Sequence, residues 1–421
     1  MQVMKLGAGQ QAMLDGRDGP AAAMAMRILV GMAGSEGVSE FVEITSAHID
    51  GCLYHGASGC AFAETLRDGG GQVRVPATLN VGAMDLQRPE QVLLRGAHRD
   101  LAVRQMNAYV AMGCRPTWTC APYQAGHRPG IGEQVAWAES NAVVFANSVL
   151  GARTNRYGDF MDICCALTGC APLSGLHRAE NRAASIVIDC SGLPAALMQR
   201  DDFYPVLGSW LGRSVGSAVA LLDGLPRDVD EDRLKALGAA AASTGAVALF
   251  HVTGRTPEAP TREAALAGMP PVAEIGLTGE MLLAEHRRMN SASAAQLDVV
   301  ALGSPHFSLS EFERLRELLA GRKAAVPLYA CTGRHVTEQL ERQGWRAELE
   351  RANVMLIVDT CVVVTPVIEA RGGVLMTNSG KFAHYSPALI GHEVVFGSLS
   401  ECVESAVRGR VVREPGAWGV A

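Results

Sequence analysis

The chain has 421 residues, 37 Lys and Arg against 43 Asp and Glu, and a formal net charge of −6, which removes the electrostatic basis for nucleic acid or an anionic membrane as a partner. With 48% hydrophobic residues, 19% charged residues and 46 glycines, it describes a turn-rich globular enzyme body and excludes a disordered or fibrous chain. One ordinary core does not hold this length, so two or three domains, or one large α/β body, are expected.

The first 20 residues lack the basic region and apolar run of a secretory signal, and Arg27 interrupts the apolar segment 21–32. No run approaches the roughly 20 apolar residues of a membrane span. Eleven cysteines without an export signal read as reduced thiols of a cytoplasmic protein, open to a metal or cluster, and no CxxC pair is present to suggest a zinc ribbon.

In chain order, residues 21–34 carry a helical pattern, and 41–45 form a short strand leading into Ser46-Ala47-His48-Ile49-Asp50. A loop at 51–60 follows, with three glycines in ten positions, before a helix over 61–68. Glycines let backbone N–H groups approach a ligand closely, so this junction is either a carboxylate or phosphate seat or a plain helix cap. Residues 72–75 read as a strand ending at Pro76, and Thr78 and Asn80 share a face if the strand continues. Helical segments over 89–112 lead to a loop, 114–123, whose two prolines forbid a regular helix. Either Cys114 or Cys120 in it is a ligand candidate. A helix is expected over 131–149, then a turn holding Arg156, a carboxylate clamp or a structural ion pair, and a small-residue loop over 168–177.

A boundary falls near 193–209, and beyond it strands and helices alternate: helix 210–219, strands 246–251 and 297–302, helix 308–319, strand 326–330, helix 335–343, strand 354–358. That order predicts a parallel α/β domain. Ser308 and Glu311 make a capping box directly after Gly303-Ser304-Pro305-His306, which places this loop at the carboxyl end of a strand, where open sheets bind ligands. No glycine-rich phosphate fingerprint follows any strand, which weakens a nucleotide function. After 354–358 come Asp359-Thr360-Cys361, a second β-branched run at 362–364 and a polar loop through Asn378, Ser379, Lys381, His384 and Tyr385. A thiol leaving the core at a strand end is placed as a ligand or nucleophile, against the alternative of a small buried apolar residue.

The segments SAHIDG (46–51), GASG (56–59), VPATLN (75–80), TCAPY (119–123), TGCAPLSGLH (168–177), LGSPH (302–306), VDTC (358–361) and TNSGKFAHY (377–385) together resemble the aconitase X family, in its large or catalytic subunit, over nearly the whole chain. The resemblance implies an aconitase-like core of about three α/β domains with a metal-centred cleft. The expected division is 1–200, with substrate loops and the first ligand; 201–350, a parallel α/β domain; and 351–421, completing the core. It implies a hydro-lyase with an iron–sulfur cluster or mononuclear iron. Cys120 and Cys361 fall at the family's metal positions, and the third position, usually GCPH, here carries Ser304. Serine is a hard oxygen donor, which argues against a cubane on three cysteines and leaves a two-iron cluster, a single iron or recruitment of another thiol open. Gly56, Ala57, Ser58, Asn80 and Val81, with His48, match substrate-binding segments.

Family members carry, fused or as a separate subunit, a small domain that supplies the base. Little chain remains after Gly397, so a separate small subunit is expected, with Ser379 and Lys381 as the internal catalytic candidates. The implied substrate is a small hydroxy acid: cis-3-hydroxy-L-proline, giving pyrroline-2-carboxylate, or alternatively mevalonate 5-phosphate, which a cluster of Lys and Arg beside the GASG loop would favour. An iron- or redox-sensing binding protein is the alternative outside enzymes.

Overall fold

Pro20 opens the first long helix, where its missing N–H is one that helix geometry leaves unbonded. The computed structural model describes residues 4–292, 296–369, 372–414, 416 and 418. The chain divides into two units, 1–84 with 94–183, and 85–93 with 184–421.

In the first unit, helices α1 (Ala8–Leu14) and α2 (Pro20–Ser35) precede β1 (Phe41–Glu43). Then follow β2 (Ser46–Ile49), α3 (Ala57–Asp68), β3 (Ala77–Leu79), α4 (Gly96–Ala111), β4 (Val135–Trp137), α5 (Ser140–Phe145), α6 (Met161–Thr168) and β5 (Cys170–Pro172). The strands β3-β2-β4 form a parallel sheet in that order, and β1 pairs antiparallel with β5.

Several expectations are corrected here. The strand expected over 72–75 lies at Ala77–Leu79. The Val73 and Arg74 N–H groups bond the Met112 and Ala166 carbonyls at 2.9 and 2.8 Å, leaving Pro76 to accept from Ala47 at 3.0 Å as the sheet begins. Ser46–Ile49 is itself the central strand, and the helix after it starts at Ala57 instead of 61. The expected helix over 131–149 is broken: Val135–Trp137 is drawn into the sheet beside β2, and α5 begins only at Ser140 before running into a π-helical turn, Ala146–Leu150. Residues 168–177 are not all loop, because Cys170–Pro172 pairs with β1.

The second unit holds β6 (Ile186–Asp189), α7 (Ala195–Met198), α8 (Phe203–Val215), β7 (Ala220–Asp223), α9 (Glu231–Thr244), β8 (Phe250–Val252), α10 (Arg262–Ala265), β9 (Ala273–Gly276) and α11 (Gly279–Arg288). It continues with β10 (Val299–Phe307), α12 (Leu309–Leu319), β11 (Leu328–Thr332), α13 (Arg334–Arg342), α14 (Trp345–Arg351), β12 (Val354–Val358), β13 (Val374–Thr377), α15 (Gly380–Leu389), β14 (Glu393–Phe396) and α16 (Leu399–Arg408). Two parallel sheets result, β8-β7-β6-β9 and β12-β11-β10-β13-β14. The parallel α/β class expected from the alternation is what forms.

In the larger sheet the strand order reverses at β10, so the crevice between the carboxyl ends of β10 and β13 is the topological switch point where such sheets hold ligands. Phe312, Leu315, Leu340, Leu356 and Met376 are among the side chains that close its core. The capping box at Ser308 forms as read, with the Ser308 hydroxyl accepting from Glu311 N–H at 3.2 Å and the Glu311 carboxylate accepting from Ser308 N–H at 2.8 Å. Gly303 lies inside β10, not beyond it, at a register shift with φ of +87°. A Cβ there would stand 2.2 Å from the Cys331 carbonyl oxygen. The run 362–364 is a turn instead of a second strand, because the Val364 and Thr365 N–H groups fold back onto the Cys361 carbonyl at 3.1 and 3.4 Å.

Candidate active site

In the first unit the parallel register sets the site. His48 stands opposite Thr78 on one side and Trp137 on the other. With a side-chain period of two, the next residues on that face are Asp50, Asn80 and Glu139, just past the carboxyl ends of the three strands. The His48 Nδ1 and His127 Nδ1 atoms each lie 2.8 Å from the Thr78 hydroxyl. Burial holds both rings well below the ordinary histidine range, His127 at about 4, so this chain of groups is neutral. Asn80 Nδ2 donates to the Asp50 carboxylate. The Asp50 and Gly51 N–H groups donate to Asp162 at 2.6 and 3.2 Å. Burial first, then the Glu139 and Asp159 carboxylates, push Asp50 up to about 7.

Gly56 is the N-cap of α3 at φ +142°, and Ala57 and Ser58, both exposed, form its first turn. The N–H groups at the start of this 12-residue helix, which has no side-chain cap, can donate to a carboxylate. Val81 is buried behind Asn80. The segment carrying Cys120 runs along β3, since Leu79 N–H donates to the Arg115 carbonyl and Thr119 N–H to the Leu79 carbonyl, each at 3.2 Å. Asn141 Nδ2 then bonds the Cys120 carbonyl at 3.0 Å.

In the second unit the ends of four strands are tied together. The Ser379 hydroxyl donates to the Ser304 carbonyl and accepts from Phe382 N–H at 3.0 Å as the N-cap of α15, so it ties the segment after β13 to β10 itself. His306 Nε2 lies 3.2 Å from the Thr360 carbonyl, which joins β10 to the residue before Cys361. Burial lowers His306 to about 3, so the ring is neutral and Nε2 carries the proton it donates. Arg334, opening α13, grips Asp359 with two bonds of 2.6 and 2.7 Å. Lys381 sits partly exposed in the first turn of α15.

The eleven thiols are not equivalent. Cys120 and Cys361 are the most exposed, at 7% and 6%, and every other cysteine is at 3% or below. Burial pushes Cys52, Cys114, Cys164, Cys165 and Cys402 up, and Cys190 to about 12, which keeps them protonated and poor donors. Among the described residues no three His, Cys, Asp or Glu side chains gather at metal-ligand spacing. Cys120 belongs to the first unit and Ser304 and Cys361 to the second, and two thiols with a hydroxyl fall short of the three thiolates that a cubane takes.

Sequence reading singled out Asn80 but missed that Asp50 and Glu139 share its row, because strands of three or four buried residues show no alternation. It also missed the Arg334–Asp359 pair, 25 residues apart with no local signal. No helix among the described residues is long and apolar enough to cross a membrane.

Three family models match in series: the aconitase X first domain over residues 3–180, the second over 184–287 and the third over 297–408. A cis-3-hydroxy-L-proline dehydratase of Pseudomonas aeruginosa is 45% identical over 98% of this chain and 72% of that protein. The phosphomevalonate dehydratase large subunit of Methanothermobacter thermautotrophicus is 38% identical over 92% of this chain and 95% of its own length. The crystal structure of Thermococcus kodakaraensis aconitase X in its holo-form superposes with a TM-score of 0.85 at 31% identity, covering 96% of this chain and 100% of that one.

Proposed function

The chain belongs to the aconitase X family, and from that premise we propose that this hydro-lyase dehydrates cis-3-hydroxy-L-proline to pyrroline-2-carboxylate. The observation that carries the substrate is the 45% identity to a dehydratase of that name over 98% of the chain. The charge around the Gly56-Ala57-Ser58 turn supports it. Asp50 and Asp162 are adjacent, the Asp50 N–H donating to Asp162 at 2.6 Å, and the nearby Arg104 is bound to Glu64 at 2.6 and 2.9 Å. An arginine already paired in this way is not available to clamp a phosphate dianion. The phosphorylated substrate of the archaeal relatives is therefore the less favoured reading.

Cys120 and Cys361, with Ser304 as an oxygen donor, are proposed to hold an iron centre, either a two-iron cluster or a single iron. Their standing as the two most exposed thiols supports this choice. When bound, iron supplies Lewis acidity toward the departing hydroxyl. The N–H groups of the α3 first turn receive the substrate carboxylate, and Asn80, its amide fixed by Asp50, orients the ring. Lys381 neutralises developing negative charge, since an ammonium beside a bound anion stays protonated.

The base that removes the proton next to the carboxylate is proposed to come from a separate small subunit. Ser379, the internal alternative, already commits its hydroxyl to Ser304 and to the α15 cap. The extensive match to a protein named a large subunit supports this further. Anaerobically purified protein, with and without the candidate subunit, is assayed on both substrates. Formation of pyrroline-2-carboxylate is expected only with the subunit, and turnover of mevalonate 5-phosphate alone overturns the substrate assignment.

A further inference from the structure

We propose that Asp85, Arg334 and Asp359 form a latch that positions Cys361 as a ligand before any metal arrives. The inference rests on the assignment of Cys361 above and names the groups that act through it. Four consecutive residues at the end of β12 are each held by a bond. Val358 N–H donates to Asp85 Oδ2 at 3.0 Å. The Asp359 carboxylate takes both Arg334 bonds and the Leu86 N–H at 3.2 Å. The Thr360 carbonyl accepts from His306, and the Cys361 carbonyl accepts from Val364 and Thr365.

Asp359 adopts φ +64°, a left-handed conformation uncommon outside glycine, and the three bonds to its side chain are what hold it there. Asp85 in turn caps its own segment through Gln87 and Arg88 N–H at 2.9 and 2.8 Å. The short run 85–93, which leaves the first unit's sequence to join the second, is fastened before the Cys361 turn by these bonds and after it by the Leu93 N–H, which donates to the Pro366 carbonyl at 2.6 Å. None of these groups needs to touch metal. They set the backbone from which the thiol projects, as outer partners set the ligands of other metal sites.

The test compares Asp359→Asn, Arg334→Met and Asp85→Asn with Cys361→Ala and with Arg316→Met, which breaks an equally short pair to Glu348 elsewhere in the same unit. Iron per chain after anaerobic purification, the visible absorption spectrum and Tm are read for each. Iron affinity falling by about tenfold in the three latch variants, with an altered spectrum, supports the latch, as does partial recovery in Asp359→Glu. Arg316→Met should lower Tm and leave iron and spectrum unchanged. Unchanged iron and spectrum in Asp359→Asn and Arg334→Met overturn the latch while leaving the ligand assignment standing. Iron retained by Cys361→Ala overturns that assignment, and the latch with it. Should Arg334→Met fail to fold, the alkylation rate of Cys361 in metal-free Asp85→Asn decides, an unchanged rate counting against the latch.

Discussion

Asp50 and Ser58 give the proposed substrate seat two separable tests. Ser58 is exposed in the first turn of α3, so Ser58→Ala removes a hydroxyl without opening a cavity. Its KM is expected to rise by a factor corresponding to about 0.5–1.5 kcal/mol, with Tm unchanged. Asp50 carries the pH signature. Its carboxyl stands at about 7 in the fold against an ordinary 3.8, so the folded state favours the protonated form. The stability it contributes is complete below about pH 4 and is lost as pH rises through 7. Asp50→Asn cannot ionise, so its Tm relative to the parent should rise between pH 5 and pH 8; a difference constant across that range would show that Asp50 is not held protonated. Ser379→Ala removes a cap that also ties α15 to Ser304 in β10, and a loss of about 1 kcal/mol is expected by chemical denaturation.

At the scale of elements, α8 and α9 cross closely enough that a glycine decides their packing. A Cβ at Gly208 would lie 2.1 Å from the Leu237 carbonyl oxygen, an overlap that neither helix backbone relieves without moving. Gly208→Ala should cost roughly 2–3 kcal/mol, measured by thermal or urea unfolding. Gly192→Ala, with nothing within 4 Å of the added carbon, should be near neutral. Elements with local signals were legible in the sequence: the Ser308 capping box, the β-branched run of β12 and the periodic helix α2. Those decided by distant pairing were not. Val135–Trp137 looks like the start of an apolar helix until Ser46–His48 lies beside it, and the turn after Cys361 looks like a strand until its own N–H groups fold back. Cys120, Cys361 and the Gly56 turn stand out in the sequence because their residue types carry chemistry in loops. The carboxylates around Asp50 and the latch on Asp359 were hidden because tertiary pairing alone makes them neighbours.

On the scale of the whole molecule, the second unit builds two parallel sheets with the same strand sequence, in which the first strand lies between the second and the fourth. Only the larger sheet gathers Ser304, Cys361, Ser379 and Lys381 at its carboxyl ends, and the matches to three aconitase X domains run in series along the chain. On the proposed reading, ligand and substrate binding fall to this chain and the proton-abstracting group to a separate subunit. The most direct measurement is single-turnover formation of pyrroline-2-carboxylate from cis-3-hydroxy-L-proline by iron-loaded protein, with and without a small subunit. The account predicts product only with the subunit present, abolished when Cys120 or Cys361 is replaced by Ala. Full turnover by this chain alone, lost in Ser379→Ala and retained in both cysteine variants, would contradict it.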